Sequence, residues 1–116
     1  MKNDFKYEPT RPATRDELRK QFESGDSETI ANTLYAASKC EEDWEWIQDQ
    51  CLKCLNSPEV SVRWAAATCL GDLAFFRRPL DVRAVVPALE KATEDPKIAD
   101  PARFSLSMIR QFLLGS

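Results

Sequence analysis

The chain has 116 residues, a length typical of one compact domain. It contains no histidine and only three glycines, which excludes the commonest general base and any glycine-rich phosphate loop. Its 16 basic and 19 acidic residues give a net charge of -3, which argues against nonspecific binding to nucleic acid or to anionic membranes. The sequence has no long apolar run, either behind Met1 or elsewhere. We therefore expect a soluble, cytoplasmic protein without a secretory signal or a membrane span.

The N-terminal residues 1–13 contain Pro9 and Pro12 and show no hydrophobic periodicity. This predicts an extended lead-in, followed by a single helical domain over residues 14–116.

The first two predicted helices form a pair. Thr14 and Glu17 stand three apart, as the two partners of a capping box do, and Gly25 is a natural stop for the helix that they open. Asp26 or Ser27 then caps a second helix that ends near Cys40, with an inward stripe at helical spacing. That stripe consists of Ile30, Leu34 and Ala37.

A second pair is predicted over residues 43–76. Its first helix runs from about Asp43 to Asn56, and Ser57-Pro58 has the pattern of an N-cap followed by a first-turn proline. The second helix of this pair ends before Arg77-Arg78-Pro79. Its predicted inward residues are Val62, Ala65, Ala66, Cys69, Leu70 and Leu73.

A third pair completes the chain. One helix runs from about Asp81 to Thr93 and either starts late or kinks at Pro87, and the last helix restarts at Asp100-Pro101. No segment alternates with period two over a convincing length, so we predict an all-α fold of three antiparallel helical hairpins. The predicted inward residues of the last helix are Ala102, Ser105, Leu106, Ile109 and Leu113.

The last two pairs repeat each other. Shifted by about forty residues, Val62-Arg63 aligns with Ala102-Arg103 and Cys69 aligns with Ile109. The segment Leu55 to Gly71, with its short turn, its Val-Arg pair, its small apolar residues and its Leu-Gly, resembles the HEAT repeat. The segment from Val86 through Asp95-Pro96 to Arg103 is similar to a second copy. Ser57 departs from the family pattern, which usually has aspartate there, and so does Arg110, which aligns with Leu70.

The resemblance implies a short right-handed α-solenoid of the HEAT or armadillo kind. Such a solenoid presents a shallow groove lined by alternate helices, a surface suited to holding another protein.

The four cysteines are Cys40, Cys51, Cys54 and Cys69. The Cys51-x-x-Cys54 pair lies inside a predicted helix without a preceding strand, which does not fit a redox motif, and the outer spacings do not fit a zinc ribbon. We interpret them as small buried hydrophobic residues, with a four-thiolate metal site as the alternative. We expect no cofactor and no bound metal.

The acidic and aromatic segment 41–49 is the strongest binding signal. Carboxylates at a helix N-terminus favour the helix dipole, which explains part of the pattern. Trp44 and Trp46, however, point about 200° apart on a helix, so we expect Trp44 in the core and Trp46 on the surface. Trp64 follows Arg63 at a position that the family usually leaves solvated. The predicted partner-binding residues are Glu41, Glu42, Glu45, Trp46, Asp49 and Trp64.

Other features carry less weight. Phe75 and Phe76 are expected to fill the turn into the third pair, and Arg77, Arg78 and Arg83 form a small basic spot that is expected to be solvated. Without histidine, no serine has an obvious activating base, and no carboxylate pair stands out. We predict no catalytic residues.

Together these observations favour a protein-binding module without catalytic activity. The chain looks like small bacterial HEAT-type proteins, which include immunity proteins of contact-dependent and polymorphic toxin systems. The resemblance therefore implies an immunity protein that neutralises a toxin domain. The acidic surface with exposed tryptophans favours a basic partner, and a monomer is favoured although the sequence does not fix the oligomeric state. The alternatives are a HEAT-repeat adaptor or assembly factor and, against the charge balance, a HEAT-like DNA glycosylase.

Overall fold

A computed structural model describes residues 14–40, 43–76 and 80–113, with only the backbone described at Cys40. Within these ranges the chain is entirely helical and contains no strand. The predicted lead-in over residues 1–13 lies outside them. The six helices are α1 (Arg15–Phe22), α2 (Ser27–Cys40), α3 (Trp44–Cys54), α4 (Val60–Phe75), α5 (Val82–Ala92) and α6 (Ala99–Phe112).

The start and stop signals of the first hairpin are confirmed. The Thr14 side chain accepts a hydrogen bond from the Glu17 amide at 3.1 Å, and the Thr14 amide donates to Glu17 Oε1 at 2.9 Å. Gly25 adopts the left-handed φ of 78°, which glycine reaches without strain, and it lies between α1 and α2. The Asp26 carboxylate caps α2 by accepting from the Thr29 amide at 3.0 Å.

The predicted start of α4 is wrong by two residues. The helix begins at Val60 rather than at Pro58, and its N-cap is Glu59 in an extended conformation. The Ser57 hydroxyl accepts from the Glu59 amide at 3.1 Å, so it stabilises the turn before the helix instead of the helix terminus.

The last hairpin agrees with the prediction in extent. Helix α5 begins at Val82 and continues through Pro87, which is solvent-exposed, so the helix contains the proline rather than starting after it. Arg110, which departs from the repeat pattern, is exposed on α6. No helix in the described ranges is long and apolar enough to cross a bilayer.

Three hairpins stack so that the even-numbered helices lie side by side. Helix pairs α1/α2, α3/α4 and α5/α6 each pack together, and α4 also packs against α2 and α6. Helix α4 is therefore central, and the six residues predicted to point inward from it are all buried. The hydrophobic core includes Leu34 and Ala37 from α2, Ile47 and Cys51 from α3, Val85 and Leu89 from α5, and Ala102, Leu106 and Ile109 from α6.

The α4/α6 contact depends on a glycine. A Cβ atom at Gly71 would lie 2.9 Å from the Ser105 Cα atom, which is closer than such atoms approach in proteins. The Ser105 hydroxyl donates to the Ala67 carbonyl of α4 at 2.5 Å, so the buried polar group is satisfied across the same contact. The Leu-Gly of the repeat pattern thus allows two helix backbones to approach closely.

Arg63 links the second hairpin to the third. Its guanidinium donates to the Ser57 carbonyl at 2.8 Å and lies 3.3 Å from the Asp95 carboxylate in the α5/α6 turn. Arg63 is therefore held by the backbone carbonyl oxygen of Ser57 and by the side-chain carboxylate of Asp95, which belongs to the turn of the next hairpin.

Candidate protein-binding surface

The side-by-side even helices expose one continuous surface, which we call the even-helix face. Three relations between α2 and α4 identify its members. Glu28 and Asn32 of α2 line one groove together with Trp64 of α4, and the Tyr35 side chain interacts with that of Thr68. Further along, Lys39 acts electrostatically on Asp72. The face consists of Glu28, Asn32, Tyr35 and Lys39 from α2, Trp64, Thr68, Asp72 and Phe75 from α4 with Phe76 at its C-cap, and Phe104, Met108 and Phe112 from α6.

Helical spacing explains why the α4 members share a side. Trp64, Thr68 and Asp72 stand four apart, and Phe75 follows three residues later, so they form one stripe along the helix. The residues on the opposite side of α4 are buried in the core. The stripe is therefore the only part of this central helix that reaches solvent, apart from its ends, in the region that the structure describes.

Aromatic rings continue the stripe from α4 onto α6. Phe75 makes edge-to-face contacts with Phe76 and Phe112, at centroid distances of 5.3 and 5.7 Å. Phe104 lies two turns before Phe112 and is 62% exposed. Among the described residues, the large hydrophobic side chains classed as exposed are Trp64, Phe75, Phe76 and Phe104, all from α4, its C-cap and α6. A concentration of exposed aromatic side chains is typical of a protein interface.

A groove opens at the end of this face nearest the N-termini of α2 and α4. Its volume is about 500 Å³, and Trp64 forms one wall with an exposed fraction of 42%. Ala31 and Val60 contribute apolar surface to its lining, and Glu28 is an acidic residue of the same lining. The groove is large enough to accept a side chain of a partner protein.

Asp72 and Tyr35 are two half-buried polar members of the face. Burial raises the pKa of the Asp72 carboxyl above its ordinary value, and the nearby Lys39 ammonium partly opposes this shift. Burial also raises the pKa of the Tyr35 phenol. A half-buried carboxylate among aromatic rings is a strong acceptor for a cationic side chain.

The prediction for the two tryptophans of α3 is wrong. Trp46 is half-buried and packs against the core, with the Phe22 ring at 5.7 Å and the Arg15 guanidinium 4.2 Å above its own ring. Trp44, expected in the core, is half-buried outside it. The reason is that α1 lies against this side of α3 and covers Trp46, a contact that helical spacing within α3 alone does not reveal.

The acidic residues of the predicted site separate from Trp64. Glu45 and Asp49 are exposed on α3, while Glu41 and Glu42 lie outside the described residues. Trp46 lines a groove between α1 and α3, whereas Trp64 lines the groove between α2 and α4. The four predicted residues that the structure describes therefore do not share one surface, and whether any of the six binds a partner stays a prediction.

Asp43 shows that part of the acidic pattern is structural. Its carboxylate accepts from the Trp46 amide at 3.2 Å and pairs with Arg15. Both contacts lower the pKa of the Asp43 carboxyl, the backbone hydrogen bond more than the arginine. This acid therefore caps α3 and joins it to α1.

Of the cysteines whose side chains are described, Cys51 and Cys69 are buried as predicted, whereas Cys54 is half-buried. Cys51 and Cys69 are fully buried between α3 and α4, and the contact with Cys69 together with burial raises the pKa of the Cys51 thiol well above its ordinary value. Burial also raises the pKa of Cys54. Neutral thiols of this kind pack as small apolar groups. No cluster of three potential metal ligands occurs among the described side chains, which do not include that of Cys40.

Sequence comparison supports the repeat. Residues 47–76, which comprise most of α3 and all of α4, match the HEAT repeat. The HEAT resemblance is confirmed. The match covers the central hairpin only, so the likeness of the two outer hairpins to the repeat rests on how their helices pack.

Structural comparison covers the whole molecule. The fold is similar to a chain in the crystal structure of a CDI complex from Cupriavidus taiwanensis LMG 19424, with a TM-score of 0.80 and 27% sequence identity. The alignment covers 97% of this chain and 100% of that one. No curated protein matches the sequence significantly. The all-helical, HEAT-like architecture is thus shared along the full length of a protein that occurs in a complex.

Sequence reasoning missed several members of the even-helix face. Phe104, Tyr35 and Asp72 were not singled out, and Phe75 and Phe76, expected to fill a turn, are instead exposed. The sequence does carry a signal for the α4 part of this face. Residues 64, 68, 72 and 75 recur at helical spacing, and their side chains are too large or too polar for the core side of a central helix. Of the basic spot, Arg83 is exposed as expected, and Arg77 and Arg78 lie outside the described residues.

Proposed function

We propose that this protein is an immunity protein of a contact-dependent inhibition system, which binds and neutralises a toxin domain. The observation that carries the proposal is the similarity to a chain of a CDI complex, where CDI denotes contact-dependent inhibition, over the full length of both chains. A likeness limited to one repeat would support only a HEAT-like fold. Here the number and arrangement of the hairpins agree as well.

The even-helix face supports a protein as the partner. Exposed tryptophan and phenylalanine side chains supply large contact areas at small entropic cost, and aromatic residues dominate the binding energy of many interfaces. We propose that this face, rather than the α1/α3 groove around Trp46, contacts the toxin domain.

The proposed partner is basic, and the proposed action is stoichiometric. A net charge of -3 favours encounter with a cationic domain and accelerates association at low ionic strength. Neutralisation by binding requires no catalytic group in the immunity protein. We therefore propose a non-enzymatic, cytoplasmic role in which one copy occupies one toxin domain.

Co-expression tests this function. The toxin domain of the contact-dependent inhibition system in the same genome is expressed in a sensitive bacterium, with and without this chain, and growth is followed. We expect growth to be rescued only when the chain is present, and the two proteins to copurify in equal amounts. A toxin domain from an unrelated system serves as the specificity control.

Failure to rescue growth, together with no binding of the purified domains in calorimetry, would reject the immunity function. Copurification with a large assembly instead of a toxin domain would favour the adaptor function.

A further inference from the structure

Asp72 occupies an unusual position on the even-helix face. It lies in the last turn of α4, one turn before the exposed rings of Phe75 and Phe76, and the Phe76 amide donates to the Asp72 carbonyl at 2.9 Å. Residues three and four apart on a helix are neighbours on its surface. The carboxylate and the two rings therefore share one end of the face.

The free protein gains little from this carboxylate. An acidic side chain near a helix C-terminus interacts unfavourably with the helix dipole, and half-burial removes part of its hydration. Within residues 14–40, 43–76 and 80–113, no cation forms a salt bridge with Asp72, and Lys39 acts on it only at longer range. A half-buried side chain that is unfavourable for the fold and lies on an aromatic face is typical of a functional position.

We propose that Asp72, Phe75 and Phe76 receive an arginine side chain of the partner protein. The inference rests on the proposed function, because it takes the toxin domain as the partner, and it adds the chemistry by which that domain is recognised. The carboxylate pairs with the guanidinium, and the phenyl rings contact its planar face or its aliphatic stem.

Arginine fits this arrangement better than lysine does. A guanidinium forms two parallel hydrogen bonds to one carboxylate and stacks on an aromatic ring, whereas an ammonium is a compact, strongly hydrated charge. Cation–π contact with a ring adds to the ion pair when both are shielded from water. The fold already contains one such arrangement, in which Arg15 pairs with Asp43 while its guanidinium covers the Trp46 ring.

The test measures the affinity of the toxin domain for three variants by calorimetry. We expect Asp72→Asn to weaken binding on the order of tenfold to a hundredfold, because it leaves the partner's arginine buried without its counter-charge. Phe76→Leu keeps an apolar side chain but removes the ring, and it is expected to weaken binding by about fivefold to tenfold. Asp16→Asn makes the same charge change on exposed α1 and is the matched control, for which we expect no more than about a twofold change.

The partner's arginine is then identified by replacing each interfacial arginine of the toxin domain by lysine. The expected result is one position at which replacement weakens binding to the native protein but has little further effect on Asp72→Asn, as double-mutant coupling requires. Thermal unfolding of each variant confirms that the chain still folds.

The possible failures are distinguishable. If the toxin domain does not bind the native chain at all, the proposed function is wrong. If it binds, but Asp72→Asn and Asp16→Asn have equal affinities, only the arginine site is wrong. A concentration-dependent dimer in sedimentation that Asp72→Asn or Phe76→Leu disrupts would also overturn the site, because a second copy of the chain would then cover this face.

Discussion

Trp46 and Trp64 belong to the same hairpin but have different surroundings. Trp46 is held between α1 and α3, with Phe22 at its edge and Arg15 over its ring. Trp64 forms the wall of an open groove between α2 and α4 and is 42% exposed. Trp46 already has an aromatic and a cationic partner within the chain, whereas Trp64 lines a groove together with mostly small and polar residues.

This difference indicates how aromatic residues on a small helical protein can be assigned to structure or to binding. A half-buried ring that contacts a cation and a second ring contributes to stability. An exposed ring on a face with other exposed rings is available to a partner. We therefore expect substitutions in the two regions to separate the stability of the protein from its affinity for the toxin domain.

The largest expected effect is the loss of stability in Trp46→Ala. Removing the ring exposes Phe22 and deprives the Arg15 guanidinium of its contact, at a cost of about 2–3 kcal/mol in the free energy of unfolding. Chemical denaturation measures this change, and Trp46→Phe is the control that keeps an aromatic ring. Affinity for the toxin domain is expected to stay within about twofold of native. A large loss of affinity without loss of stability would show that Trp46 contacts the partner, as the sequence alone predicted.

Trp64→Ala should have the opposite effect. Loss of the groove wall is expected to weaken binding of the toxin domain by about 2 kcal/mol, or roughly thirtyfold, as at other interface tryptophans. The free energy of unfolding should change less than in Trp46→Ala, because Trp64 is already 42% exposed in the free protein. Calorimetry and denaturation on the same preparation check both values. Unchanged affinity would place the interface elsewhere.

Asp72→Asn is expected to change how the stability of the protein depends on pH. Because burial raises the pKa of the native carboxyl above its ordinary value of 3.8, the fold favours the protonated form and is destabilised as the group ionises. The asparagine variant should therefore be more stable than the native protein at neutral pH, and this advantage should disappear as the pH falls below 3.8. Burial raises the pKa values of the neighbouring Tyr35 and Cys51 above their ordinary values, so neither side chain titrates in this acidic range.

Urea denaturation at a series of pH values measures the effect. An asparagine variant that is less stable at neutral pH would mean that the carboxylate has a favourable partner in the free protein.

The smallest expected effect concerns the exposed acids of α3. Glu45→Gln and Asp49→Asn should slow association with a basic toxin domain by about twofold to fivefold at low salt and leave the dissociation rate unchanged. The difference should vanish as the ionic strength rises, because surface charges are then screened. Stopped-flow measurements at low and high salt provide the test. Equal association rates at low salt would show that these acids do not steer the encounter.

Most of the fold could be predicted because its signals are local. The capping box at Thr14, the glycine at position 25 and the inward stripe of α4 each depend on residues within a few turns of one another. The HEAT resemblance added the order of the hairpins. The start of α4 was misjudged because Ser57 has two uses, as a helix cap or as part of a turn, and only the conformation of Glu59 decides between them.

The candidate site was predicted less well because it depends on packing between helices. Nothing within α3 shows that α1 covers Trp46, and nothing within α6 shows that Phe104 continues the surface of α4. The residues of the even-helix face are brought together by the side-by-side arrangement of α2, α4 and α6, which the repeat pattern implies only in outline.

The close contact at Gly71 and Ser105 has a consequence for binding kinetics. With their backbones in contact and a buried hydrogen bond between them, α4 and α6 have little freedom to slide or rotate against each other. Phe75 and Phe104 therefore keep their spacing before any partner arrives. Such preorganisation reduces the conformational entropy lost on association. The two helices can thus act as a rigid template, and we expect conformational changes on binding to occur mainly in the partner.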